Sequence, residues 1–364
     1  MPYIKSKDIL RYARDHKFAH GAFNVNALCQ AKAIIEACEE LRCAAIIQVA
    51  EPGLAYIGGN PDFIHGTMEE KKLGAKRIAS YVKKLAEKTF IPVSLHLDHG
   101  RSFETCKICI QAGFNSVMID GSALEYDENV ALTKKVVQFA HKHDVSVEAE
   151  LGVLAGVEDH VFAETSTYTN PLTAIDFLKK TGVDLLAISY GTKHGAVKGD
   201  NVKLRKEIAI ATMENMLHEK IDAVLVSHGS SLVPQYIVNE INALGGNVHG
   251  HGIPIEQLKE VIPSGISKIN MDTDIRLATT RNILEWFETH PEKKEGSKIY
   301  PLLVEKRESF EYRYYLKEYI NELETNKNIT GEIKEIIPLM EKAVKEIVLT
   351  ANVEFCSVGD AYYI

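Results

Sequence analysis

Residues 91–122 read IPVSLHLDHGRSFETCKICIQAGFNSVMIDGS. An apolar run, Pro92 to Leu97, ends on the polar pair Asp98 and His99. A stretch with helical patterning, 102–111, follows, and a second apolar run, 116–119, ends on Asp120. Strand, helix and strand within about thirty residues form a parallel βαβ unit, because parallel strands need a crossover of a dozen residues or more. The same alternation extends in both directions. Strands are expected at 19–25, 44–49, 92–97, 116–119, 146–151, 185–189, 223–227 and 266–271. They are rich in Val, Ile and Ala without polar alternation, as in strands covered on both faces. Helices are expected at 28–40, 69–88, 102–111, 125–143, 171–180, 203–219 and 233–244, with another opening near Thr273. Eight βα units in roughly 250 residues fit a closed (β/α)8 TIM barrel, an α/β fold, better than an open sheet.

Two regions stand outside the repeat. Residues 152–170 form a long connection after the fifth strand, and loops of that length in compact barrels commonly act as lids. Residues 289–331 are highly charged and read as helices with a solvated face. The chain of 364 residues therefore divides into a barrel, 1–288, and a charged helical C-terminal extension, 289–364, packed on the barrel or at a subunit interface.

Bulk properties narrow the function. Net charge is −8, which disfavours a nucleic-acid surface but allows a local positive pocket for a small phosphorylated substrate. No run of about 18 apolar residues suggests a membrane span. The opening stretch, 1–18, lacks the apolar core of a signal peptide. The six cysteines show no disulfide-framework spacing, so reduced thiols in a cytoplasmic protein are expected. Cys106 and Cys109 form a C-x-x-C on a helical pattern with no second pair at zinc-ribbon spacing, and read as two thiols on one helix face.

Active sites of such barrels lie at the C-terminal ends of the strands. Polar residues gather there: Asp98 and His99 after the third strand, Asp120 after the fourth, Glu148 and Glu150 on the fifth, His194 and Lys198 after the sixth. His228, Ser230 and Ser231 follow the seventh, and Asn270, Asp272, Asp274 and Arg276 the eighth. A lone histidine near a strand end is more often a hydrogen-bonded structural residue. Three at matching strand ends, His99, His194 and His228, beside several carboxylates, make a catalytic zinc arrangement with an open position. His96 precedes its strand end and reads as structural. Gly191, Gly195, Gly199 and Gly229 flank the mouth, where backbone amides in barrel loops hold phosphate, with Lys198 and Arg276 adding charge. Ordinary turn glycines and surface cations are the bland alternative for each taken singly. His249 and His251 read as surface or turn residues.

LHLDHG, VMIDGS, VEAELG, GTKHGAVKG, HGSS and INMDTDIRLA, with GAFNVNAL at 21–28, resemble the motif series of class II fructose-bisphosphate aldolases. The resemblance runs in order from about Met1 to about Phe287. It implies a zinc-dependent lyase that reversibly cleaves fructose 1,6-bisphosphate to dihydroxyacetone phosphate and glyceraldehyde 3-phosphate. His99, His194 and His228 look like the zinc ligands, and Asp120 and Glu150 like the pair holding zinc in an alternate inward position. Asp98 looks like the acid acting at the C4 oxygen, and Glu158, in the long loop, like the base that takes the proton from dihydroxyacetone phosphate. Gly195, Lys198, Gly229, Ser231 and Thr273 look like the C1-phosphate site. Asn270 and Asp272 look like contacts to the substrate hydroxyls, and Arg276 like the arginine that binds the C6 phosphate, often across a subunit boundary. The resemblance also implies a monovalent cation (Na+ or K+) near the phosphate and a homo-oligomer, a dimer or tetramer.

This chain departs from the family pattern in three places. Ala50 stands where the family has a serine that helps to bind the C6 phosphate, so a distal phosphate is held differently or more weakly. Ala155–Gly156 replaces the common Gly-Gly, which stiffens the lid. A D-P-R run is missing after the eighth strand, and no role is carried to 289–364. Tagatose 1,6-bisphosphate is an alternative substrate, since the motifs do not read the configuration at C4. Another aldehyde, or a catalytically silent binding homologue, is a further alternative.

Overall fold

The computed structural model describes residues 3–154, 156–158, 161–163, 167–198, 202–325, 327 and 329–364; at 157, 158 and 161–163 it describes strand pairing alone. The strands are β1 (His20–Asn24), β2 (Ala45–Ala50), β3 (Val93–Gly100), β4 (Ser116–Ile119), β5 (Ser146–Leu151), β6 (Leu185–Ile188), β7 (Val224–Ser227) and β8 (Ile266–Met271). Each pairs in parallel with the next, and β8 pairs with β1, with His20 opposite Lys268 and Phe23 opposite Met271, so the sheet closes into a (β/α)8 barrel. All eight expected strands are present. The largest difference is at β3, which continues to Gly100 through the polar DHG. Polarity suggested a strand end there, but the barrel mouth accepts polar side chains.

The expected helices are present, and three more were not foreseen: Ser6–His16, Glu51–Ile57 and Ile255–Val261. The helix Glu51–Ile57 carries Pro52 and Gly53, a poor intrinsic combination. Tertiary packing makes it. The long helix Met68–Ala86 lies so close that a Cβ on Gly74 would sit 1.9 Å from the Leu54 carbonyl oxygen. The helix Ser6–His16 puts Ile9 and Leu10 into the N-terminal end of the barrel, against Ala22, Ala44, Ile46, Leu185, Ala187, Val224 and Val226. In the long connection, Gly156–Glu158 pairs with Val161–Ala163 as a small hairpin.

After the helix Thr273–Thr289 come Tyr300–Glu305, Tyr312–Tyr315, Ile320–Thr325 and the long Glu332–Glu354. They share a second apolar core, with Ile283, Phe287, Leu303, Leu323, Ile333 and Met340 among its members. The segment beyond Ala351 fastens the bottom of the barrel: Phe355 O accepts from Ala19 N at 3.1 Å, and Asp360 Oδ1 from Ala44 N at 3.1 Å. No helix of the described residues is long and apolar enough to cross a membrane.

Candidate active site

The mouth is shaped first by a bulge. Register between β3 and β4 shifts between Leu97 and Gly100, and His99 lies there at φ +44°, a left-handed conformation rare for a residue with a side chain. A Cβ on Gly100 would meet the Met118 carbonyl oxygen at 2.5 Å, so glycine is required where the strands close up. The bulge re-aims His99 into the mouth, where its Nδ1 lies 2.9 Å from Asp120 Oδ2. Asp120 Oδ1 accepts from Ser122 N and Oγ at 3.0 and 2.7 Å.

The three histidines converge. The His99 ring centroid is 4.7 Å from that of His228 and 5.3 Å from that of His194. Asp98, His99 and His228 offer ligand atoms within 4.8 Å of one another, as do His99, Asp120 and Glu150; His194 belongs to neither group and approaches through its ring contact with His99. Among the described residues no other trio of His, Cys, Asp or Glu comes so close. Imidazole nitrogens with carboxylate oxygens at this spacing fit a divalent transition metal. Asp98, beside them, takes Asn270 Nδ2 on Oδ1 at 3.1 Å and Asn24 Nδ2 on Oδ2 at 2.9 Å.

Around this centre stand the residues expected to bind phosphate. Gly229 has φ +58°, and a Cβ there would meet the Lys193 carbonyl oxygen at 2.5 Å. Gly195 also has positive φ, at +81°. Lys198 is buried, and its Nζ donates to Lys193 O at 2.5 Å. Lys198 and Ser231 both neighbour Asp274, whose carboxylate accepts from Val233 N at 2.7 Å and so pins the loop after β7. Thr273 opens the helix Thr273–Thr289, and a helix N-terminus is a place where backbone amides can receive an anion. Arg276 donates from Nε to Asp272 Oδ1 at 2.9 Å, and from Nη1 to Glu311. Glu311 also takes Arg313 Nε at 2.8 Å, and Arg313 lies 3.8 Å above the Phe63 ring. Gly195, Asp272, Thr273, Arg276, Glu311 and Arg313 line a cavity of about 320 Å³. A larger one, about 820 Å³, lies between the loop after β7 and the helix Glu332–Glu354; none of the three converging histidines lines it.

The sequence matches the model of the family described as fructose-bisphosphate aldolase class-II over residues 4–359. The chain belongs to the class II fructose-bisphosphate aldolase family. It is 43% identical over 292 residues to a fructose-bisphosphate aldolase of Treponema pallidum, covering 77% of this chain and 85% of that one. It is 40% identical over 300 residues to the Giardia intestinalis fructose-bisphosphate aldolase, covering 80% and 85%. The fold is similar to that of the YdjI aldolase of Escherichia coli K12, with a TM-score of 0.64 at 25% identity over 99% of both chains. The Campylobacter jejuni fructose-bisphosphate aldolase shares the fold at a TM-score of 0.70 and 21% identity, covering 98% of this chain and 96% of that one. The match to residue 359 carries the family pattern beyond Phe287, through the helices that the motif series left out.

A class II aldolase is a metal-dependent lyase acting on a phosphorylated sugar, and the electrostatics of this mouth suit a cation. Burial pulls the His99 imidazole down, but the carboxylates of Asp98, Asp120 and Glu150 prevail and raise it well above its usual value. Burial likewise opposes the charge on His228, yet hydrogen bonds to Glu148 and Glu150 push it up to about 9. Asp120 is also buried, and its bonds from His99 and Ser122 hold its carboxyl below the usual range. These groups have gathered positive charge among carboxylates, the charge a metal cation replaces.

Glu148 stands among the polar strand-end residues read from the sequence, but its partners were not read, and Lys268, Asn24 and Gln48 escaped it. Glu148 Oε1 lies 2.6 Å from His228 Nε2, and Glu148 Oε2 lies 2.9 Å from Lys268 Nζ. Asn24 is itself held by Gln48 Nε2 at 2.5 Å. Lys268, Asn270 and Asp272 lie two residues apart, as do Glu148 and Glu150, so strand periodicity alone would have put each set on one inward face. Glu311 and Arg313 carried no such signal. His96 is buried, with Nδ1 2.7 Å from Ser116 Oγ, and burial with the Lys268 charge keeps it well below its usual value. Cys106 and Cys109 are buried, and burial pushes both thiols up. His249 and His251 are exposed. The side chain of Glu158, and residues Ala155 and Gly199, lie outside the described residues.

Proposed function

We propose that this protein is a zinc-dependent aldolase that reversibly cleaves fructose 1,6-bisphosphate to dihydroxyacetone phosphate and glyceraldehyde 3-phosphate. The convergence of His99, His194 and His228 beside Asp98 carries the reading. His99, His194 and His228 hold the zinc, with Asp120 and Glu150 as its alternate inward ligands, and when bound it supplies a Lewis acid for the negative charge that develops beside the ketone. In cleavage, a carboxylate oxygen of Asp98 takes the proton from the C4 hydroxyl as the C3–C4 bond breaks. In condensation Asp98 returns that proton, and Glu158 removes one from dihydroxyacetone phosphate. The amides of Asn24 and Asn270 orient Asp98 for this, one on each oxygen. Gly195, Lys198, Gly229, Ser231 and Thr273 hold the C1 phosphate, with a monovalent cation (Na+ or K+) beside it. Asn270 and Asp272 meet the substrate hydroxyls, and Arg276 meets the C6 phosphate. A homo-oligomer in the cytoplasm is the setting that this reading supplies.

Two observations favour a second reading, an aldehyde without a terminal phosphate. Ala50 offers no hydroxyl beside the mouth, and Arg276 and Arg313 both already bind Glu311. Purified protein, assayed with fructose 1,6-bisphosphate before and after EDTA and after zinc is restored, tests the first reading. Activity lost to EDTA and recovered with zinc supports it. No cleavage by the zinc-loaded protein sinks it, and tagatose 1,6-bisphosphate and aldehydes with and without a terminal phosphate then identify the substrate.

A further inference from the structure

Below the mouth the barrel encloses an ion pair that the proposed proton transfers do not use. Lys268, Glu148, His96 and Ser116 all have no exposed surface. A buried ion pair costs several kcal/mol of desolvation per charge, and an apolar filling of equal volume is often as stable. Packing alone therefore does not explain a lysine at the centre of this barrel.

We propose that Lys268 is a positioning residue whose ammonium sets the orientation of both His228 and Asp98. The proposal rests on the aldolase reading, in which His228 is a metal ligand and Asp98 the acid. Lys268 Nζ lies 2.9 Å from Glu148 Oε2 and 2.9 Å from Asn270 Oδ1. One arm leads from it to each residue.

The first arm runs through Asn270. An ammonium only donates, so the amide must turn its oxygen toward Lys268. Its Nδ2 then faces the other way and donates to Asp98 Oδ1 at 3.1 Å. Without the ammonium, the amide could present either end to Asp98, and the carboxylate oxygen would lose a fixed donor.

The second arm runs through Glu148. With Oε2 committed to Lys268, Oε1 meets His228 Nε2 at 2.6 Å. The imidazole donates from Nε2, which leaves Nδ1 as the nitrogen turned toward Glu150 and the ligand cluster. A metal-bound histidine commonly donates its other N–H to a carboxylate, and losing such a partner costs 10- to 100-fold in metal affinity. His96 closes the remaining side, with Nε2 3.4 Å from Glu148 Oε2. Lys268 Nζ has no surface on the cleft, so it acts through these neighbours and does not touch substrate.

Lys268→Met keeps the length of the side chain and removes the charge and the donors. Zinc affinity of the full chain is measured by competition with a chromogenic chelator, alongside kcat and KM for fructose 1,6-bisphosphate and the circular dichroism spectrum. The expected result is a folded protein with zinc affinity lowered about 10- to 100-fold, kcat at saturating zinc lowered at least about tenfold, and KM within about twofold. Zinc affinity and kcat both within twofold of the unmodified protein overturn the proposal. If Lys268→Met does not fold, the double variant Lys268→Met/Glu148→Gln removes the stranded carboxylate charge along with the ammonium. In the folded double variant the Asn270 arm is the readout: kcat at saturating zinc at least about tenfold below that of Glu148→Gln alone supports the proposal, and kcat equal to that of Glu148→Gln overturns it. The chelator competition reads Lys268 even if fructose 1,6-bisphosphate is not the substrate; an unmodified protein that binds zinc but cleaves no sugar tells against the aldolase reading alone.

Discussion

The two ends of the barrel differ although the same strands build both. At the N-terminal end the inward side chains are Ala22, Ala44, Ile46, Leu185, Ala187, Val224 and Val226, closed off by Ile9 and Leu10. Two residues further along the same columns, Ala22 gives way to Asn24, Ile46 to Gln48 and Val226 to His228. Each of those polar residues sits in the hydrogen-bonded network at the mouth. The strand period of two carries a single inward column from hydrocarbon to chemistry within about 7 Å. One end can therefore be tuned for stability and the other for turnover, with Lys268, Glu148 and His96 forming the layer between.

The division can be broken at either end. The largest effect is expected at the mouth: Asp98→Asn should lower kcat by about 10²- to 10⁴-fold while zinc binding and the thermal midpoint stay near those of the unmodified protein. Unchanged kcat would remove Asp98 from the chemistry. At the other end, Ile46→Ala in the closed plug should cost about 2 to 5 kcal/mol of stability in a denaturant titration, with kcat of the folded enzyme unchanged. A large loss of kcat in that variant would show that the two ends are coupled.

A third test uses pH. His228 is pushed up to about 9 in the fold, against about 6.5 unfolded. Protonation therefore stabilises the metal-free protein fully below about pH 6.5, and that contribution is lost as pH rises through about 9. Its size is of the order of 3 kcal/mol. Denaturation of the metal-free protein from pH 6 to 9.5 should show this decline, and the zinc-loaded protein should not. Equal pH profiles with and without zinc would place the metal elsewhere. The smallest effect belongs to the distal rim, where Ala50→Ser should lower KM for fructose 1,6-bisphosphate about fivefold, the equivalent of about 1 kcal/mol, and leave an aldehyde without phosphate unaffected. Equal changes for both would remove Ala50 from the phosphate end.

The strands were legible because burial on both faces leaves uninterrupted apolar runs, and β4, β6 and β7 match that pattern closely. The histidines were legible because each follows such a run within a short glycine-flanked motif. Lys268 was not, since a lysine within SKIN looks like a surface cation until the barrel closes around it. The helix Glu51–Ile57 was hidden by Pro52 and Gly53, whose unfavourable propensity yields to packing against Gly74. Glu311 and Arg313 sit in a charge-rich stretch whose apolar members, Tyr312, Tyr315 and Leu316, keep helical spacing and enter the second core, but that spacing says nothing about which of the charged neighbours turn toward the mouth. The family match through residue 359 shows that this region belongs to the pattern even where its motifs were unreadable.

The fastening at the bottom of the barrel has a consequence for synthesis. Gly21 N donates to Asn352 Oδ1, 331 residues later, and Ala44 N to Asp360 Oδ1, 316 residues later. A ribosome adding about 5 to 20 residues per second spends on the order of twenty to sixty seconds on such a gap. During that time the first strand and the residue just before the second carry amide donors whose partners have not been made, and β1 also waits for β8 before any ring can exist. Every motif of the mouth is complete by Arg276, so this nascent chain holds all its chemistry before it holds its shape.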